Sequence, residues 1–441
     1  MRARMGHLFA LAATLSCTAV PAFAQAQAPA TKIDGADTAW MIVATGIVLM
    51  MTLPGLALFY AGMVRKKNVL ATMAQSLAAT AIVSILWVIV GYSLAFSGDG
   101  ALIGNLDRFF LRGMGMESVS ALAPTIPEAL FMLYQMTFAI ITVALVGGSV
   151  ADRMRFSAFV LFSALWLLIV YVPIAHWVWG NGFLGTAGVL DFAGGTVVHV
   201  NAGIAGLVAA LVLGARRGYG TDNLAPFDLS MAVVGTGLLW IGWFGFNGGS
   251  ALGANSRAVM AILATHLAAC AGALTWSALE WYVRGKPSVL GMISGAVAGL
   301  GTITPASGFV LPWQGLIIGI VAGCICFWAC TALKLRCKYD DSLDVFGVHG
   351  IGGATGTLLC GVFAAASVSI SAATPNGLPG LLEGNPKQLL IQLIGVLATA
   401  LWCGLATFVL LRLVGLVFPL RASVEDEVVG LDISLHGEAL Q

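Results

Sequence analysis

Eleven long apolar stretches, separated by short polar connections, set the organisation of this chain. They run at about 40–63, 69–96, 130–150, 157–178, 197–213, 229–246, 258–283, 289–303, 316–335, 345–366 and 389–418. Apolar residues continue without a two-residue alternation, so each stretch predicts a helix and the pattern excludes a β-barrel. Each can cross ~30 Å of hydrocarbon, with 289–303 the marginal case. Pro54 falls inside the first stretch and predicts a kink there. The expected fold class is an all-α polytopic membrane protein with eleven transmembrane helices.

Charged positions orient these helices. Arg65, Lys66 and Lys67 follow the first stretch, Arg153 and Arg155 the third, and Arg216 and Arg217 the fifth. Arg284 and Lys286 follow the seventh, and Lys334, Arg336 and Lys338 mark the end of the ninth. The intervening connections hold Arg108, Arg112, Arg257 and Lys387. Positive charge gathers on the cytoplasmic side, so the N-terminus is expected outside and the C-terminus inside. Stretches 1–5 then start outside and 6–10 start inside. That order implies two inverted five-helix repeats plus a final helix. Short echoes agree: Thr45-Gly46 parallels Thr236-Gly237, and Gly148-Ser149-Val150-Ala151 parallels Gly295-Ala296-Val297-Ala298.

Composition sharpens the class. Of 441 residues, 59% are hydrophobic and 9% charged, against about 25% charged in soluble proteins. The 55 glycines suit close helix packing in lipid. A net charge of +1 gives no support for nucleic acid as a partner. Residues 1–24 read as a cleaved signal peptide: Arg2 and Arg4, an apolar run, then Ala22-Phe23-Ala24. Residues 25–39 are then a periplasmic N-terminal segment, 40–420 the membrane domain and 421–441 a cytoplasmic tail. Most of the eight cysteines fall in apolar spans, as small apolar side chains; Cys324 and Cys326 point to different helix faces, and no metal site is expected.

Two stretches place ionisable groups where the pattern says membrane. The first, from Asp191, reads D-F-A-G-G-T-V-V-H-V-N-A-G-I-A-G. If helical throughout, it sets His199 about two turns after Asp191, with Gly203 and Gly206 on the histidine's face. The second, from Asp344, reads D-V-F-G-V-H-G-I-G-G-A-T-G, with Gly353 and Gly356 in the same relation to His349. Ionisable groups at this depth mark pathways or packed interfaces. For Asp191 the reading is hydrogen bonding at a helix N-terminus. Asp340, Asp341 and Asp344 read as caps of the tenth span, and Glu280 as a partner of Arg284 at i+4.

Aromatic residues cluster on the same topology. Phe138 lies mid-span in Y-Q-M-T-F-A. Trp179 closes the fourth span, and Phe246 ends the sixth with Ser250 just beyond. Both of these ends lie outside, so Trp179 and Ser250 can meet at an outer vestibule above Phe138 and Phe246. An aromatic cage with one hydroxyl holds a small cation without a countercharge; an aromatic belt at the membrane interface is the other reading.

The motifs D-F-A-G-G-T-V-V-H-V-N-A-G-I-A-G-L, W-F-G-F-N-G-G-S and D-V-F-G-V-H-G, with A-D-R-M-R-F-S-A and the tail G-L-D-I-S-L-H-G-E, resemble those of the ammonium transporter family, Amt branch. The resemblance runs from about Trp40 to the tail. It implies a homotrimer with one pore per protomer, taking ammonium and ammonia as substrate without a cofactor. By motif, Phe138, Trp179 and Ser250 match the outer recruitment site, and Phe138 and Phe246 the stacked pair that closes the pore. His199 and His349 match the twin histidines, Trp243 a pore aromatic, and Asp191 the carboxylate supporting recruitment. Tyr134 stands where many members carry Phe. The tail implies packing on the inner face and docking of a PII-type nitrogen regulatory protein. The expectation is a bacterial inner-membrane transporter with no enzymatic role and net electrogenic ammonium uptake. An ammonium sensor, an electroneutral Rh-like ammonia channel and a bis-histidine haem carrier are the alternatives.

Overall fold

The computed structural model describes residues 32–371 and 374–440. The segment 1–24 read as a signal lies outside the described residues, as do residues 25–31. Among the described residues the chain is helical, with two isolated bridges and no strand.

Eleven apolar helices appear, close to the positions the hydropathy predicts. They are α1 (Gly35–Met63), α2 (Lys66–Phe96), α3 (Glu128–Val150), α4 (Phe156–Thr186, its main body ending at Trp179), α5 (Gly195–Leu213) and α6 (Leu229–Gly249). Then follow α7 (Ser256–Arg284), α8 (Val289–Ile303), α9 (Pro312–Cys337), α10 (Phe346–Phe363) and α11 (Pro386–Val417). Ten are long enough to span a membrane alone; α8, with 15 residues, is the short one. Pro54 breaks α1: Leu53 before it leaves helical geometry at φ −127°, ψ 103°.

The two halves are inverted. Trp40 Nε1 at the start of α1 donates to the Gly248 carbonyl at the end of α6, 3.4 Å away. At the opposite end, Asp228 N donates to the Gly62 carbonyl at 3.0 Å. So α1 and α6 run antiparallel, as do α5 and α10. The latter pair cross where Gly203 meets Gly350; a methyl on Gly203 would overlap the Gly350 backbone. This close approach is the use of the glycine-lined histidine faces.

Helix α11 stands outside the repeats and holds them together. Gln392, fully buried, accepts from Leu190 N at 2.7 Å and donates to Leu190 O at 2.6 Å and Thr357 O at 3.1 Å. Gln388 donates to Gly188 O at 2.9 Å. Leu190 leads into α5 and Thr357 lies on α10, so one amide grips both histidine helices.

Basic loops gather at one end in a buried network. Arg216 binds Asp340 at 2.7 Å, and Arg65 binds Asp152 at 3.0 Å. Arg153 donates to the Ser342 hydroxyl and the Asp340 carbonyl; burial pushes its guanidinium down to about 10, with Asp340 opposing. Burial works against the Asp340 carboxylate, yet the Arg216 hydrogen bonds outweigh it and hold the group below its ordinary value. Two short tail helices, α12 (Val424–Val429) and α13 (Leu431–His436), pack here. Lys67 Nζ donates to Glu427 O at 2.6 Å, and Ala71 N to Asp432 Oδ1 at 2.8 Å.

Candidate functional site

Three cavities follow one another between the repeats. The first, about 260 Å³, is lined by Phe138, Trp179, Ser250, Phe192 and Gln135 among others. The second is a constriction of about 10 Å³, lined by His199, His349, Trp243, Phe246 and apolar side chains. That is room for about one water-sized molecule. The third, about 240 Å³, opens at the basic end and shares Phe59, Val297 and His349 with the constriction.

Between the first and second cavities the Phe138 and Phe246 rings stack at 4.0 Å and 15°. Trp179 meets Phe138 edge-on, with centroids 5.7 Å apart. The convergence of α3, α4 and α6 predicted from topology is therefore present. Phe246 lies within α6, since the helix continues to Gly249. The Trp179 indole is fixed by a 2.8 Å hydrogen bond to the Asp191 carbonyl, as a buried indole N–H requires. Ser250 donates to Phe246 O at 2.8 Å. Tyr134 OH lies 2.8 Å from the same carbonyl and 3.3 Å from Ser250 Oγ. With both hydroxyl protons on carbonyls, the Ser250 lone pairs are left free to accept from a cation N–H.

Asp191 does not share a helix with His199. It precedes α5, and Gly194, in the left-handed region at φ +113°, turns the chain between them. The carboxylate caps the helix: Oδ1 accepts from Gly194 N and Gly195 N at 2.7 and 2.6 Å. Oδ2 accepts from Thr196 N at 2.7 Å, from the Thr196 hydroxyl, and from Val197 N at 3.3 Å. These are the orphan donors of a helix start, satisfied by one side chain.

The same cap recurs in the second half. Asp341 Oδ2 accepts from Phe346 N at 2.7 Å, the same five-residue reach as Asp191 to Thr196. Each aspartate lies eight residues before its histidine. Asp340 and Asp344, also expected to be caps, instead bind Arg216 and Lys334; arginine and lysine outcompete the helix end for them. Burial, with Asp344 adding to it, raises the Asp341 carboxyl above its ordinary value. The sequence reading of Asp341 as a cap therefore holds, and equal spacing to the histidines is the signal that separates it from Asp340 and Asp344. Glu280 does pair with Arg284 at 3.4 Å, though its shorter contacts are to Ser288.

At the constriction His199 Nδ1 and His349 Nδ1 lie 3.1 Å apart, with rings parallel within 9°. This spacing is a direct hydrogen bond and leaves no place for an iron between the rings, so the haem reading fails. Trp243 stacks on His199 at 5.7 Å, its indole donating to Thr304 at 2.8 Å. His199 Nε2 has no protein partner among the described residues. Gln135 was missed by sequence reasoning. Its amide oxygen also lacks a partner, and it lines the first cavity one turn before Phe138.

Replacing Tyr134 by Phe tests the hydroxyl arrangement. One lost neutral hydrogen bond is worth about 0.5–1.5 kcal/mol. The variant is expected to lose about that much stability, read as a lower melting temperature in detergent; unchanged melting would count against the arrangement.

A profile described as the Ammonium Transporter Family matches residues 39–440. An ammonium transporter of Bacillus subtilis is 48% identical over 402 residues, covering 91% of this chain and 97% of that protein. One of Aquifex aeolicus is 49% identical over 414 residues, covering 94% and 95%. The fold is similar to that of Saccharomyces cerevisiae Mep2, with TM-score 0.81, 39% identity and coverage of 89% and 88%. It is also similar to a sensor Amt protein, with TM-score 0.82, 30% identity and coverage of 91% and 98%.

Proposed function

This chain belongs to the ammonium transporter family, and on that premise we propose that it carries ammonium across a membrane as ammonia plus a separately handled proton. The observation that carries this reading is the directly bonded histidine pair in an apolar constriction between two wider cavities.

Ammonium enters the first cavity and rests against Trp179 and Phe138, with Ser250 and Gln135 as acceptors. A desolvated cation–π contact returns about 2 kcal/mol. A charge at mid-bilayer costs ~3 kcal/mol even on the lenient scale. The rings thus hold the ion at the mouth but do not carry it through the constriction. Transfer of a proton from ammonium to water in the first cavity, leaving hydronium there, removes that cost, and ammonia passes the Phe138–Phe246 pair as a neutral molecule. Asp191 supports this mouth by fixing α5 and Trp179; its lone pairs are committed to the helix start, so it is not the base.

The histidine pair suits a neutral guest. When both rings are neutral, the single Nδ1–H between them is donated by one to the other. The donor ring then offers an Nε2 lone pair, and the acceptor ring an Nε2–H. Ammonia, donor and acceptor at once, meets both kinds of partner. Potassium has no proton to lose. Passage of the released proton along the same imidazoles makes transport electrogenic; its return to the mouth makes the protein an ammonia channel.

In this reading the Trp179 mouth is outside, the basic end is cytoplasmic, and three protomers each carry a path. The tail packed on the basic end is the docking surface for a PII-type protein. An ammonium jump on proteoliposomes is expected to give a current that an equal potassium jump does not; equal currents would sink the deprotonation step. Trp179→Leu is expected to raise half-saturation roughly tenfold, from the loss of about 1–2 kcal/mol. The similarity to a sensor Amt protein keeps a second reading, ammonium sensing with little conduction. Rescue of growth on low ammonium in a transporter-deficient host favours transport, and failure of rescue by correctly inserted protein favours sensing.

A further inference from the structure

A fixed positive charge sits behind the wall of the cation-recruiting cavity. Arg257 opens α7 at the Trp179 end. Its guanidinium lies 4.9 Å from the Phe192 ring and 4.8 Å from the Phe309 ring, and the two rings meet edge-on at 5.6 Å. Nε donates to the Gly308 carbonyl at 2.7 Å. Among the described residues no carboxylate reaches it, whereas Arg108 at the same end is held by Glu128 at 2.7 Å. Phe192 follows Asp191 in the chain and lines the cavity with Phe138, Trp179 and Ser250.

An unpaired cation beside a cation's binding site runs against the usual arrangement of such sites. The structure does not require the charge, since a neutral donor such as glutamine can fill a slot between two rings and donate to the Gly308 carbonyl. We propose that Arg257 sets the affinity of the mouth: its charge, placed against Phe192, weakens the attraction of the cavity for ammonium. The ring's quadrupole attracts cations to both faces, and a guanidinium held on it lessens its pull on a second cation. Direct repulsion adds to this from a charge held 4.9 Å from the centre of a ring that lines the cavity. The use of such weakening is release. Conduction needs a mouth that fills readily but lets go, and three aromatic walls with two acceptors otherwise hold the ion too long.

This inference rests on the reading of the first cavity as the ammonium mouth, so the test carries a control for that reading. Half-saturating ammonium concentration and maximal current are measured in proteoliposomes for the natural chain and for Arg257→Met, Arg257→Lys and Trp179→Leu. Arg257→Met is expected to lower half-saturation roughly five- to tenfold, by removal of the charge held on Phe192, with an equal or smaller maximal current. Arg257→Lys, which keeps the charge, is expected to stay near the natural value. A merely structural residue moves half-saturation upward or leaves it, so the sign decides. Higher or unchanged half-saturation in Arg257→Met, or a lysine variant that behaves like methionine, overturns the proposal. If Arg257→Met does not insert, Arg257→Gln carries the same measurement, and failure of both to fold assigns the residue to structure and likewise overturns it. An unaltered Trp179→Leu titration instead overturns the mouth itself.

Discussion

Asp191→Asn is expected to lose most of its folded protein, although the change removes only a charge. Both carboxylate oxygens are occupied as acceptors, Oδ1 by Gly194 N and Gly195 N, and Oδ2 by Thr196 N, the Thr196 hydroxyl and Val197 N. An asparagine keeps one oxygen. Its amino group must then face two backbone N–H groups that have no other partner. Each unsatisfied buried donor costs about 1–3 kcal/mol, and the lost charge at a helix start adds roughly 0.3–1 kcal/mol. The sum is on the order of 2–7 kcal/mol, a large part of the stability of most domains. Thermal melting in detergent and folded yield are the readouts. Asp341→Asn is the comparison, because among the described residues the helix start donates to Asp341 only at Oδ2, and an amino group at the Oδ1 position meets no donor of the helix start. It is expected to be far milder. Equal melting of natural and Asp191→Asn protein would refute the capping argument, and full transport with it would show that no negative charge is needed at the mouth.

Loss of either central imidazole is expected to have the largest effect on transport. His199→Leu keeps most of the volume but leaves ammonia without one of its two partners and orphans His349 Nδ1, which lies 3.1 Å from its present partner. A hydrogen bond removed in a water-poor constriction is worth about 2–4 kcal/mol. The ammonium current is expected to fall roughly thirty- to several-hundred-fold, with melting little changed. His199→Gln, whose amide both donates and accepts, is expected to recover part of it. A His199→Leu protein that conducts ammonium at the natural rate would remove the histidine pair from the mechanism.

The helices were legible in the sequence because continuous apolar runs leave no other way to satisfy a backbone in lipid. The pairing of His199 with His349 was legible because the repeat puts both on the fifth helix of their halves. The meeting of Trp179 with Ser250 needed only the end at which each helix stops. What escaped was carried by contacts far apart in sequence. Gln392 reaches Leu190 across some 200 residues, and no local period announces that. Asp340, Asp341 and Asp344 read alike as caps in the sequence; only Asp341 caps the helix through its side chain, and its eight-residue spacing to His349, equal to that of Asp191 to His199, is what singles it out. Arg257 counted only as a stray outer charge until its two rings were seen.

The grip of Gln388 and Gln392 on the segment before α5 also has a consequence for how the protein is made. Synthesis runs from the N-terminus, so α11 leaves the ribosome after the ten helices that precede it. Every candidate site residue, from Phe138 to His349, has already been synthesised by then. The backbone at Gly188 and Leu190, which carries Asp191 and through it Trp179, still lacks its clamp. A chain stopped before α11 therefore contains both repeats and every candidate site residue but lacks the clamp on the segment before α5, and completion of α11 doubles as the step that fixes Asp191 and Trp179.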